Sequence, residues 1–355
     1  MIDEKIEKYS SRVFLGSEII VCPRASVREQ WDDALGAASY QPVCYSQSDI
    51  DYQYRYFSGE GKEYFDFSLV IFQQNKAVAI WPLSFSSNQE ISELHSCSTG
   101  VLPPLFIKST TQKFQKTVVK MCLQLLELIA AENHIYTVKC TEVFNDTIGL
   151  SEWFSQARKY SCCPVVSPDL FVDLSMEATG VWQSFRKSYK PLINKASSLW
   201  NVSVVETRNA IWAEFQALHL EVAGRVTRSQ ESWDEHSNHL ENGSAFLVTL
   251  RQADNDCLVG AGLFHYTESE GSYSVAAYKR ELFDKPLGHL VQWQAMQTFI
   301  SKKIRYYRIG SMLFESDVPV PTEKELSISY FKSGFATHWM PRYSFELSFR
   351  KTSDD

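Results

Sequence analysis

Apolar positions along the chain fall into two runs that repeat one order of elements. The first run alternates over residues 67–73, turns at Gln74-Asn75-Lys76 and alternates again over 77–85, which reads as a hairpin. After a break at 100–104 come a helix over 114–132 and a strand over 135–140. Within the helix, Phe114, Val118, Met121, Leu125 and Leu128 recur at steps of three and four, one stripe facing a core. The second run predicts strands at 245–250, 257–266 and 272–278, then Pro286-Leu287-Gly288, a helix over 289–302 and a strand over 304–309. Sequence identity between the runs is negligible, so only the pattern recurs. The pattern predicts two α/β units of similar build with a cleft between them.

The remaining segments are shorter. Residues 31–38 read as a brief helix, and the aromatic stretch 52–57 as a strand or part of a cleft wall. Leu170-Phe-Val-Asp-Leu174 reads as a strand, followed by a helix from near Ser175 that carries Arg186, Lys187, Lys190 and Lys195 and that Pro191 should kink or divide. Ile211, Phe215, Leu218 and Val222 form the buried stripe of another helix, stopped by Gly224 as a left-handed cap. Ser232-Trp-Asp-Glu235 has the form of a capping box opening the next one. Residues 343–349 alternate as a strand with one buried face. Two prolines and a composition shift at 161–168 place a boundary there, giving domains 1–165 and 166–355. The last strand is left open to pair back with the first domain.

At 355 residues the chain is long enough for two cores, and 44% hydrophobic content with 14% aromatic fits a well-packed globular protein. The net charge of −7 argues against a surface generally coated with nucleic acid, but leaves room for a local basic patch. Such a patch has a candidate, because residues 178–205 contain no acidic residue. Two readings stand: a solvated basic helix face, or an anchor for phosphates, which need cationic donors without competing carboxylates. The acidic start lacks the apolar core of a signal peptide, and no apolar run approaches about 18 residues, so a cytoplasmic location is expected. The eight cysteines are scattered, with Cys162-Cys163 the one close pair, and are expected to be reduced structural thiols.

No Walker loop, GxGxxG, HExxH or nucleophile elbow is present. His236 and His239 could share a helix face but have no evident third ligand; they are expected to be surface polar residues, and no metal is expected. Glu221 and His219 precede the short connection Arg225-Val-Thr-Arg228. They are acid/base candidates by position, against a bland reading as solvent-facing residues. Arg225 and Arg228 are either functional loop cations or ordinary surface arginines.

Lys285-Pro-Leu-Gly288-His-Leu290 lies between a strand and a helix N-terminus, where free N–H groups suit pyrophosphate. In the GNAT acetyltransferase superfamily an Arg/Gln-x-x-Gly-x-Gly/Ala loop at this point holds coenzyme A. Here Lys285 and Leu290 replace its first and last positions, and Leu290 would crowd the backbone approach that glycine permits. A branch of that superfamily, the FemAB-like aminoacyl and acyl transferases, is the better resemblance. Arg186-Lys-Ser-Tyr-Lys-Pro-Leu-Ile-Asn-Lys-Ala196 is similar to the basic segment opening the family's second domain. Tyr278 followed by Pro286-Leu-Gly-His-Leu-Val-Gln-Trp-Gln-Ala295 resembles its strand-to-helix passage, and Tyr306-Tyr-Arg-Ile-Gly310 its strand ending in glycine. Ser329-Tyr-Phe-Lys332-Ser-Gly-Phe335 resembles its late Phe-Lys-x-x-Phe element. These pieces cover roughly residues 170–345; the first 165 match by pattern alone.

The resemblance implies an α/β protein of two tandem GNAT-like domains with a cleft between them. It implies transfer of an acyl group from aminoacyl-tRNA, with no bound cofactor, onto an amine. No long polar heptad pair forms the helical arm of some cell-wall members, so an amino sugar or envelope-polysaccharide precursor is the expected acceptor. By the same carry-over Lys332 stabilises developing charge, Tyr278 orders the leaving group or relays a proton, and Glu221 is a further catalytic candidate. Arg186, Lys190, Arg225, Arg228 and His289 are then the binding candidates, with Arg186 and Lys190 gripping phosphates. Two rivals remain: a coenzyme A-dependent N-acyltransferase of a sugar nucleotide, and a non-catalytic glycan-binding module on the same scaffold.

Overall fold

A computed structural model describes residues 2–58, 63–88, 91–96, 99–145, 149–160 and 163–349. Cys162 of the close cysteine pair lies outside them, as does part of the 161–168 boundary segment. The chain divides into two compact units, Met1–Val166 with Arg342–Asp355, and Ser167–Pro341.

The first unit contains α1 (Ile2–Phe14), β1 (Ile19–Pro23), α2 (Arg28–Gly36) and α3 (Gln47–Phe57). Strands β2 (Glu63–Asp66), β3 (Leu69–Gln73), β4 (Lys76–Trp81), β5 (Ser84–Ser87), β6 (Ser92–His95) and β7 (Leu105–Phe106) follow. Then come α4 (Gln112–Glu132), β8 (Thr137–Glu142) and α5 (Glu152–Ala157). Gln74 and Asn75 both hold positive φ (49° and 63°), the geometry of a two-residue hairpin between β3 and β4. These strands form an antiparallel sheet in the order β1-β3-β4-β7, and β2-β5-β6 form a second. Thr111 caps α4, accepting from the Phe114 N–H. The buried stripe of α4 runs through Val118, Cys122, Leu125 and Ile129, with Val119, Leu123, Leu126 and Ala130 beside it. Of the predicted stripe Phe114, Met121 and Leu128 lie at its half-buried margin, because the face that packs is wider than one three-four ladder.

Two elements of this unit were missed. Helix α1 was passed over although Ile6, Tyr9 and Val13 recur at steps of three and four, and 52–57 is not a strand but the end of α3. Ser46 caps that helix, and its aromatic residues pack on one another at i, i+4 spacing, as in the pair Tyr52–Tyr56. Arg24 sits beneath it, 4% exposed, donating to Asp66 at 2.7 Å and 3.0 Å and to Asp51 at 2.7 Å.

The second unit begins with β9 (Val165–Asp173), α6 (Glu177–Ser184), α7 (Tyr189–Leu199) and β10 (Trp200–Val205). It continues through α8 (Ala210–Ala223), α9 (Gln230–Glu241), β11 (Ala245–Gln252), β12 (Leu258–Tyr266) and β13 (Glu270–Tyr278). It ends with α10 (Gly288–Ser301), β14 (Tyr306–Ser311), α11 (Glu323–Ser333) and the start of β15 (His338–Ser348). Strands pair in the order β10-β11-β12-β13-β14-β9. The far part of β15 completes the first unit, pairing with β8 from Tyr343–Glu142 to Ser348–Thr137.

Both long helices are crossovers between parallel neighbours. Chain entering α4 bridges Val101 to Cys140 of β8 in parallel, and β13 entering α10 pairs in parallel with β14. The doubled order of elements in the sequence is thus a doubled piece of topology.

Three sequence expectations for this unit are corrected. The basic segment is not one helix divided at Pro191: the break falls at 185–188, and Pro191 sits in the first turn of α7, where its missing N–H costs nothing. The cap of α9 is Ser229, which accepts from Ser232 N–H, so the helix starts earlier than the predicted box. His236 and His239 are buried rather than surface residues, because the face of α9 that carries them packs on the sheet. Gly224 takes the left-handed cap (φ 69°), as its position predicted.

The buried histidines have a measurable consequence. His239 stacks on His265 at 4.0 Å and His236 lies 5.2 Å from His265, with Trp233, His219 and Arg228 around them. Burial holds His265 down at about 3, and burial with the neighbouring His265, His239 and Arg228 holds His236 well below 6.5. The unfolded chain therefore takes up protons first as pH falls. Stability from these groups is whole above about pH 6.5 and declines below it, at ~1.4 kcal/mol per pH unit for each group. Thermal melts between pH 7 and 4.5 should show this slope, and His265→Phe should flatten it.

Candidate functional site

Strands β13 and β14 pair for only three residues, Glu270–Tyr306, Gly271–Tyr307 and Ser272–Arg308. Beyond them β13 stays bonded to β12 as far as Tyr278, and β14 to β9 as far as Ser311. The two strands part, and the edges of 273–278 and 309–311 make no ladder with each other. A slot with backbone donors and acceptors along its sides is the outcome.

Helix α11 delivers Lys332 to this slot from its last turn. Gly310 makes room for it: a Cβ there would stand 2.8 Å from both Cδ and Nζ of Lys332, and its φ of 153° is one that side-chain-bearing residues rarely adopt. The ammonium lies 5.3 Å from the centre of the Tyr273 ring. Tyr273 and Tyr278 hydroxyls are 3.2 Å apart, and Tyr307 donates to Gln292 Oε1 at 2.6 Å beneath them. Burial, with Arg308 adding its charge, lowers the Lys332 pKa from its ordinary 10.5. Burial also pushes the Tyr273 phenol up to about 12, and burial with Tyr273 beside it raises Tyr278 well above 10, so both phenols stay protonated donors near neutral pH.

Two carboxylates on the strands flanking β14 face Arg308. Asp169 and Glu270, both buried, stand 3.9 Å and 3.8 Å from the Arg308 guanidinium, and Ser311 donates to Asp169 at 2.7 Å. Among the described residues Lys332 forms no ion pair. A half-buried cation without an ion pair, beside two phenol donors, is what an oxyanion would meet in this slot.

The remaining candidates divide. His289, in the first turn of α10, is wedged between Tyr189 and Phe331 at 4.7 Å and 5.0 Å, and burial lowers it to about 4. Arg186 lies against α11, its guanidinium 3.9 Å from the Tyr330 ring centre and donating to Tyr330 O and Ser333 Oγ. Lys190 donates to Gln183 O, closing the end of α6. Glu221 is exposed and 3.8 Å from Lys279, outside the Lys332 cluster. Arg228 bonds His219 at 3.1 Å on the α8–α9 side, and Arg225 is exposed on the same connection.

Sequence reasoning did not pick out Tyr273, Arg308 or the role of Gly310. The pattern around Gly310 was visible; its partner was not, because 22 positions separate it from Lys332. Nor did it find a 440 Å³ pocket in the first unit, lined by Tyr40, Phe144, Pro103, Pro104, Trp153 and Glu152 among others.

No protein-family model matches the chain, and no curated protein matches it. Solved structures do. FemX superposes with a TM-score of 0.65 over 91% of this chain and 96% of its own, at 10% identity. L-PGS from Bacillus licheniformis gives 0.55 over 92% of each chain at 14% identity. A tandem GNAT protein from the clavulanic acid biosynthesis pathway gives 0.51 over 95% of this chain and 100% of its own, at 11% identity. The chain has the mixed α/β fold of tandem GNAT proteins, in the form also seen in FemX.

Proposed function

We propose that the protein is an aminoacyltransferase that forms an amide on an amino sugar or related envelope-polysaccharide precursor, with aminoacyl-tRNA as donor. The observation that carries this reading is the Lys332 ammonium, half-buried, without an ion pair among the described residues and set against Gly310 and Tyr273 in the slot between β13 and β14. The acceptor amine attacks the ester carbonyl; the carbon–nitrogen bond forms and negative charge gathers on the carbonyl oxygen. Lys332 stabilises that oxygen. Collapse breaks the ester bond, and the proton leaving the amine reaches the departing tRNA hydroxyl through Tyr278, kept protonated by its surroundings. Positioning the two reactants supplies much of the remaining rate.

The likeness in fold to FemX and L-PGS supports an aminoacyl donor. Leu290 is buried in the core rather than at the approach it was expected to crowd, so the preference over coenzyme A rests on Gly288, which lies under Phe331, whose ring a Cβ there would meet at 3.2 Å. The basic residues Lys187 and Lys195 on the exposed side of 185–195 suit the tRNA backbone. Incubation with charged tRNA or acyl-coenzyme A and an amino-sugar nucleotide, read by mass spectrometry, tests the reading. Mass gain on the sugar from charged tRNA is expected, with tRNA affinity falling steeply as salt rises. Tight, salt-insensitive binding of acetyl-coenzyme A overturns the donor, and no transfer with any pair overturns the enzyme.

A further inference from the structure

The end of α11 is held by a neighbouring segment rather than by its own sequence. A helix leaves its last carbonyls without intrahelical donors. Here Tyr189 Oη donates to Phe331 O at 2.9 Å, and Arg186 Nη2 donates to Tyr330 O at 3.3 Å and to Ser333 Oγ at 3.2 Å. The Arg186 backbone N–H takes Gly334 O at 2.9 Å, and its Nη1 donates to Tyr189 Oη at 3.2 Å. Carbonyls on both sides of Lys332 are therefore bonded to Arg186 of the α6–α7 connection and to Tyr189 at the start of α7. The guanidinium also places positive charge at the negative end of the helix.

The fit leaves little slack. Tyr189 is buried, and its ring lies on Gly334 so closely that a Cβ there would stand 2.4 Å from it. On the opposite side of the same turn, Lys332 lies on Gly310. One helical turn is thus gripped between Tyr189 and Gly310, with Lys332 projecting from the middle of it.

We infer that Tyr189 and Arg186 are positioning residues that fix Lys332 in the slot through the last turn of α11, and that Arg186 serves there as a helix cap rather than as a phosphate ligand. The inference rests on the proposed role of Lys332 for its catalytic consequence, but its geometric content stands alone. A Lys332 held in place titrates in the field of Arg308 and against the Tyr273 ring; a released one titrates in water. Competitive acetylation with acetic anhydride across pH, with the Lys332 peptide quantified by mass spectrometry, reads this directly.

In the intact protein Lys332 should become reactive at lower pH than Nα-acetyl-lysine amide added as an internal standard. In Tyr189→Phe, which keeps the ring on Gly334 and loses the hydroxyl's bonds to Phe331 O and Arg186 Nη1, its profile should move toward that of the standard. Arg186→Gln should move it further. In the transfer assay Tyr189→Phe should lower kcat on the order of five- to ten-fold, the scale of one hydrogen bond, with KM for a phosphorylated donor within about two-fold. Profiles of Lys332 that overlay in all three proteins overturn the clamp, whatever the assay gives. A large rise in KM with unchanged kcat in Arg186→Gln returns that residue to phosphate binding. If Lys332→Ala is fully active while the profiles shift as expected, the clamp stands and the proposed reaction falls.

Discussion

Lys332→Ala should lower turnover on the order of 10²–10³-fold, the cost of removing one donor to a developing oxyanion, while substrate binding changes little. The direction follows from where the charge exists. Among the described residues the ammonium forms no ion pair, so its interaction with anionic oxygen is made only as the tetrahedral species forms. Burial against Gly310 and Tyr273 raises the value of that interaction, because the slot screens it less than water would. Lys332→Arg should recover only part of the rate. The space beside Gly310 is cut to a methylene stem and a compact ammonium, and a planar guanidinium is wider and fixed in shape. Rates with saturating donor and acceptor, measured beside a melting curve for each variant, check both. Near-normal turnover in a folded Lys332→Ala protein removes the residue from the chemistry.

Arg24→Met should cost the first unit about 3 kcal/mol of stability, at the low end of the range for breaking a buried ion pair. Arg24 answers two carboxylates at once and packs on the face of Trp31 at 5.9 Å. Removing it strands Asp51 and Asp66 beside each other; both keep some contact with water, and Arg28 still reaches Asp51, which holds the penalty down. Adding Asp66→Asn to Arg24→Met should restore part of the loss, since a neutral amide has no charge to strand. Denaturant titrations of the two single variants and the double measure the coupling. Equal loss in Arg24→Met and Arg24→Met/Asp66→Asn would place the effect in packing on Trp31 instead.

What the sequence disclosed followed from how far apart the interacting residues are. The hairpin at Gln74-Asn75, the helix through Val118 and Leu125 and the cap at Gly224 depend on neighbours within a few positions, and periodicity with turn chemistry found them. Helix α3 was missed because its stability lies in Ser46 at its head and in aromatic packing, which read equally well as a strand. The early start of α9 was missed because Ser229 and Ser232 are both sound caps and only the fold chooses between them. At the site, Lys332 and Tyr278 were named through the resemblance, and the structure brings them to one cluster through Tyr273. Glu221, chosen for its place just before the arginine connection, and Arg225, chosen on that connection, lie outside that cluster. What sets the environment of Lys332 is a glycine on the strand before its helix, 22 positions back, and the splitting of a parallel pair, and neither leaves a local mark.

The strand that begins in the second unit and finishes in the first has a consequence for the order of synthesis. Thr137 pairs with Ser348, and Glu142 with Tyr343. Everything else in the first unit leaves the ribosome before Ser167, yet its sheet waits for a strand made after the whole second unit. During that interval β8 presents an open edge with Val138 and Cys140 on its buried face. A nascent chain halted before Arg342 should therefore carry a foldable but unsealed first unit, with β8 available to any passing extended segment. The unit begun first is the last to close.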